Sequence, residues 1–121
     1  MINSENIKGT VLLIEPDLSV RDALRILLEG ENWHVNCLNE CNELLTSIEE
    51  DQPVAVISES SLPDCTPQEI LECCAQFSLP VIFTGHDLPL QGAVDLIRKG
   101  ATDFLDKPFP QSRLLDLLEG L

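Results

Sequence analysis

Apolar runs of the kind found in buried strands alternate along this chain with stripes of apolar residues at helical spacing. That alternation restricts the fold more than any other feature of the sequence. Residues 10–15, 54–57 and 80–84 are short, apolar and rich in β-branched side chains, the pattern of strands covered on both faces. Residues 33–38 alternate as a fourth strand, and residues 103–107 supply a short fifth. Between them run Val20, Ala23, Leu24, Leu27 and Leu28, then Cys41, Leu44, Leu45 and Ile48. Further on come Ile70, Leu71, Cys74 and Phe77, then Leu90, Ala93, Val94 and Ile97, and finally Leu114, Leu117, Leu118 and Leu121. Each set lies on one face of a helix. Helix starts are marked by Asp17 or Ser19, by the capping box Thr66-Pro67-Gln68-Glu69, and by Asp87; Gly30 and Gly100 stand near helix ends.

Five β-α units with buried strands imply an α/β fold, a parallel sheet with helices on both faces. Right-handed crossovers leave few topologies, and the simplest is an open, doubly wound five-stranded sheet of order 2-1-3-4-5, flavodoxin-like. The 121 residues suit one domain, expected over residues 10–121 behind a flexible N-terminal tail over residues 1–9. In such sheets, sites form beyond the carboxyl ends of the strands near the point where strand order reverses.

Composition removes several classes of function. No apolar run exceeds four residues, whereas a membrane span needs about 20. The first residues carry neither a basic flank nor an apolar stretch, so a cytoplasmic location is expected. Seven basic against 21 acidic residues give a net charge of −14. Nucleic acids and anionic membranes are bound through Lys and Arg, so neither is an expected partner of this segment. Five cysteines, Cys37, Cys41, Cys65, Cys73 and Cys74, lack the paired spacing of a zinc site, and neither His34 nor His86 completes one. Free thiols acting as small hydrophobes are expected.

The residues at the strand ends carry the chemistry. Glu15-Pro16-Asp17 follows the first strand, Glu59 ends the third, Thr84-Gly85-His86 ends the fourth and Lys107-Pro108 ends the fifth. Carboxylates at adjacent strand ends suit a hard cation, and Thr84 and Lys107 suit phosphoryl oxygens. Together with Leu62-Pro63-Asp64 and the block Gly100-Ala101-Thr102-Asp103-Phe104-Leu105-Asp106-Lys107-Pro108-Phe109, these residues resemble the receiver domain of two-component response regulators. The resemblance covers about residues 10–119 and is strongest to the branch whose receivers precede helix-turn-helix DNA-binding domains.

That resemblance implies a phospho-acceptor position at Glu59 and an acidic pocket at Glu15 and Asp17. It further implies phosphoryl-binding positions at Thr84 and Lys107, a switch aromatic at Phe104, and a cis peptide at Lys107-Pro108. Two positions depart from the family pattern. The acceptor is Glu rather than Asp, and Pro16 stands where the second acidic residue of the pair supplies a Mg²⁺ ligand. A longer side chain and a lost ligand both work against near-octahedral oxygen coordination, so any metal at Glu15, Asp17 and Glu59 is expected to bind weakly. The reading is an atypical receiver with no catalytic residues of its own, its phosphorylation impaired or dispensable. Its expected partners are a histidine kinase or another signalling protein, and a second copy bound through the fourth helix, fifth strand and fifth helix, near Leu90, Gln91, Arg98, Asp103, Arg113 and Asp116. The alternative is an ordinary receiver that accepts phosphoryl with Mg²⁺. A flavodoxin-like electron carrier fits less well, because the acidic loop after the first strand repels a flavin phosphate. No Ser-His or Cys-His elbow marks a hydrolase.

Overall fold

The protein is described over residues 6–121 in a computed structural model. Five strands, β1 (Gly9–Ile14), β2 (Trp33–Leu38), β3 (Ala55–Glu59), β4 (Val81–Gly85) and β5 (Asp103–Asp106), form one parallel sheet of order 2-1-3-4-5. The helices are α1 (Leu18–Gly30), α2 (Leu44–Asp51), α3 (Pro67–Ala75), α4 (Leu90–Arg98) and α5 (Gln111–Glu119), with a 3₁₀ turn over Cys41–Glu43 leading into α2. Successive strand residues point to opposite faces, so each strand feeds two cores. Val11, Leu13, Ile57 and Ile82 pack with Leu24 and Leu28 of α1 and with Leu114 and Leu118 of α5. Leu12, Ile14, Val56 and Phe83 pack with Leu44 and Ile48 of α2, Ile70 and Cys74 of α3, and Leu96 of α4.

Local chemistry explains most helix starts. Asp17, not Ser19, caps α1: its carboxylate accepts from the N–H groups of Ser19 at 2.9 Å and Val20 at 3.2 Å. Thr66 and Glu69 form the reciprocal capping box that opens α3, with Pro67 in the first turn. The fourth helix departs from expectation. Its N-cap is Pro89, and Asp87 sits in a turn at φ 53°, so Asp87 caps nothing. Its inward face also differs from the Leu90–Ala93–Val94–Ile97 stripe. Leu96 is buried while Leu90 is 81% exposed and Ile97 is 46% exposed. Opening the helix three residues later than Asp87, with small Gly92 against Leu88, turns the 92–96 face to the sheet.

Of the tail expected over residues 1–9, residues 1–5 lie outside the described residues. Lys8 and Gly9 are tied to the sheet edge: the Lys8 N–H donates to the Asn32 carbonyl at 2.9 Å, and Gly9 pairs with Trp33.

Candidate functional site: a lysine between two glutamates

The carboxyl ends of β1, β3, β4 and β5 meet in a charged pocket. Glu15 follows β1 directly and Glu59 is the last residue of β3; both are buried, as is Thr84, which pairs with Glu59 across the β3–β4 ladder. Lys107 follows β5, and its backbone N–H donates to the Gly85 carbonyl at 2.8 Å, extending the ladder by one rung. The Lys107–Pro108 peptide is cis. From there the lysine side chain, 7% exposed, places its Nζ between the two carboxylates and donates to Glu15 Oε1 and Glu59 Oε2.

The remaining carboxylate oxygens are also occupied. Glu15 Oε2 accepts the Asp17 N–H at 3.1 Å, and Glu59 Oε1 accepts the Ser61 N–H at 3.2 Å. Burial pulls the Lys107 pKa down, but its hydrogen bonds and charge contacts with Glu15 and Glu59 outweigh that, and the net shift is upward. The ammonium is thus fixed as a cation. Two glutamates around one lysine leave the triad one negative charge in excess.

The acidic residues do not gather as a cation cage. Glu15 and Glu59 converge on Lys107, whereas the Asp17 carboxylate is turned to the α1 N-terminus and exposed. Pro16 brings no side-chain oxygen. With an ammonium already between the two inward carboxylates, this donor set does not match the near-octahedral oxygen shell that Mg²⁺ requires. Among the described residues, the trio whose ligand atoms all lie within 4.8 Å of one another is Cys41, Asp64 and Cys65.

Phe104 is half-buried, pairs with Phe83 across the β4–β5 ladder, and packs against the core on the α2–α4 face. Its ring lies over Gly85. A Cβ added to that glycine would stand 3.1 Å from Phe104 Cζ and 2.6 Å from Ser60 Oγ, so the absence of a side chain is what permits the close approach. His86 is exposed at the rim and makes no bond with the triad.

The cysteines correct the sequence reading. Cys41 and Cys65 are joined as a disulfide, with Cα atoms 6.3 Å apart, while Cys37, Cys73 and Cys74 are free. Spacing alone gave no sign of the pair, since 24 positions separate its members. What unites them is strand order: β1 lies between β2 and β3, so the loops after β2 and β3 meet over its end.

A 2-1-3-4-5 sheet with a charged pocket at its switch point places the chain among flavodoxin-like folds. The match to known proteins is narrower: residues 11–119 match the response regulator receiver domain family, and the chain belongs to that family. It is 42% identical over 110 residues to the C4-dicarboxylate transport transcriptional regulatory protein DctD of Pseudomonas aeruginosa, covering 88% of this chain and 23% of that protein. It is 33% identical to the transcriptional regulatory protein FixJ of Bradyrhizobium diazoefficiens, covering 93% of this chain and 56% of that one. The chain therefore spans only part of the length of either relative. Among solved structures, the signal receiver domain of a putative LuxO repressor protein from Vibrio parahaemolyticus superposes with a TM-score of 0.84 at 27% identity, covering 93% of this chain and 88% of that one. Full-length FixJ from B. japonicum superposes with a TM-score of 0.85 at 28% identity, covering 95% of this chain and 58% of that one. The protein thus carries a receiver domain of two-component signalling, related to the receivers of transcriptional regulators. No helix among the described residues is long and apolar enough to cross a membrane.

Proposed function

We propose that this receiver is atypical: a signalling interaction domain in which phosphorylation is dispensable or impaired, and in which Glu59 serves as a built-in anionic partner for Lys107. The observation that carries the reading is the lysine held between Glu15 and Glu59, with all four carboxylate oxygens already accepting hydrogen bonds. A phosphoryl group entering here meets a net negative triad rather than a free ammonium. Mg²⁺, which in this family supplies charge neutralisation for phosphoryl transfer, is expected to bind weakly, because Pro16 offers no oxygen and Asp17 is engaged as a helix cap.

The mechanism that follows is a partial switch. The Glu59–Lys107 contact draws the start of the β5–α5 loop toward β3, next to the strand whose Phe104 ring lies over Gly85. A carboxylate carries one negative charge where a phosphoryl group carries nearly two, so the bias toward the active-like state is incomplete. The surface that reads this state comprises α4, β5 and α5, where Leu90, Gln91, Arg98 and Asp116 are exposed and Arg113 is paired with Asp103 at 2.9 Å. A histidine kinase or another cytoplasmic signalling protein, or a second copy of the chain, is the partner proposed for it.

Intact mass after treatment with acetyl phosphate and Mg²⁺ tests the reading. No adduct is expected. A gain of about 80 Da, the mass of one phosphoryl group, mapping to Glu59 would overturn it and leave an ordinary phospho-accepting receiver.

A further inference from the structure

The Cys41–Cys65 bond spans a groove of about 770 Å³ between α2 and α3, with Glu15 and Pro16 also in its lining. Cys41 opens the 3₁₀ turn on one wall, and Cys65 precedes the Thr66 cap of α3 on the other. A second link crosses at the same place: the Cys41 N–H donates to Asp64 Oδ2 at 2.7 Å. The covalent loop closed by the two cysteines contains α2, β3 and Glu59.

We propose that Cys41 and Cys65 form a reversible thiol–disulfide site, oxidised by low-molecular-weight disulfides and reduced by their thiols, whose state sets how firmly the loop after Glu59 is held. Three observations support it. Both cysteines are partly exposed, so a small disulfide can reach them. The two cysteines pack against the edge of the core from a 3₁₀ turn and a loop, not from a strand, so their bond can open without breaking the sheet. The free cysteines are poor competitors: burial raises the thiol pKa of Cys37 and of Cys73, and that of Cys74 to about 12, and the thiolate is the reactive form. In a reducing compartment a disulfide of this kind is transient and redox-responsive rather than structural.

A thiolate of one cysteine attacks a sulfur of the small disulfide, breaking its S–S bond and releasing one small thiolate. The second cysteine, deprotonated, attacks the mixed disulfide and releases the other. Two electrons pass from the protein to the small disulfide, and the two cysteine protons appear on two small thiols. Ser61, whose N–H donates to Glu59 Oε1, lies in the chain between Glu59 and Cys65, which is the path by which the redox state would reach Glu59.

Alkylation of the unfolded chain, after equilibration of the native protein with reduced or oxidised glutathione, tests this. Five thiols are expected to react in the reduced form and three in the oxidised form, with Cys41 and Cys65 recovered as one cross-linked peptide. The amide signals of Ser61 and Asp64 should shift between the two forms, and in the double variant Cys41→Ser, Cys65→Ser they should be the same in both buffers. Five reactive thiols at every glutathione ratio, or cross-linking through other cysteines, would overturn the proposal. So would protection of Cys41 and Cys65 by Zn²⁺ in the reduced chain, which would make the trio with Asp64 a metal site. None of these outcomes depends on whether Glu59 accepts phosphoryl, which the mass measurement reads separately.

Discussion

At the residue scale, Lys107 holds two buried carboxylates together, and removing it differs from removing either of them. Lys107→Met leaves Glu15 and Glu59 facing each other without a cation; breaking a buried charge arrangement in this way costs about 3–5 kcal/mol of stability. Glu59→Gln keeps the Lys107–Glu15 pair and removes the excess negative charge, so its cost should stay near ~1 kcal/mol, that of one hydrogen bond. Urea unfolding of the two variants checks the inequality; equal losses would refute the shared role of the lysine. The pH dependence has a definite sign. The folded-state pKa of Lys107 is raised, so its stabilisation is complete below the unfolded value of about 10.4 and is lost as pH rises through the higher folded value. The part of the wild-type stability that Lys107 contributes as a cation should therefore persist through neutral pH and fall away in alkali. The pocket residues Glu15, Glu59, Thr84 and Lys107 were legible in the sequence because each stands at or next to the carboxyl end of a strand. The role of Asp17 was not, since a carboxylate after a strand serves equally as metal ligand or helix cap until its direction is known.

At the scale of single elements, β4 and α4 show where sequence patterns suffice and where they mislead. Gly85 reads as the end of an apolar run, yet its structural role is to leave room for Phe104 and Ser60. Gly85→Ala should push the Phe104 ring outward and lower stability by about 1–3 kcal/mol, the usual range for overpacking. Aromatic shifts of Phe104 together with thermal unfolding measure both effects, and an unmoved ring would show that Ser60 alone yields. For α4, the apolar stripe was assigned one turn face away from the true one, because Leu90 and Ile97 are apolar but exposed. Periodicity finds a helix; it does not decide which of two apolar stripes meets the sheet when both are present. The cysteine pair defines a third element-scale effect. Closing a loop across a sequence separation of 24 restricts the unfolded chain, and reduction should cost about 3 kcal/mol by the loop-entropy relation. Denaturant midpoints with and without a reductant test this, with Cys65→Ser expected to be insensitive to the reductant.

At the scale of the whole molecule, charge and apolar exposure oppose each other in any self-association. A net charge of −14 makes two copies repel, while Leu90 and Ile97 of α4 present apolar surface. A symmetric dimer built on this face gains little from Arg113, which is already paired within its own chain. Its attraction is mainly apolar, and its repulsion is long-ranged and screened within about 10 Å at 0.1 M salt. Self-association should therefore strengthen as salt is raised from about 0.01 M, where the screening length is about 30 Å, toward 0.1 M. Sedimentation at the two ionic strengths reads the trend. A dimer that weakens with salt would instead be held by charge pairs, and the face would have to be sought elsewhere. The same measurement connects the surface to the pocket. If the Glu59–Lys107 contact biases this face, Glu59→Gln and Lys107→Ala should each lower the association constant. The double variant should lose less than the sum of the two, since both changes remove one contact. Additive losses would separate the pocket from the surface and leave Glu59 as a structural anion only.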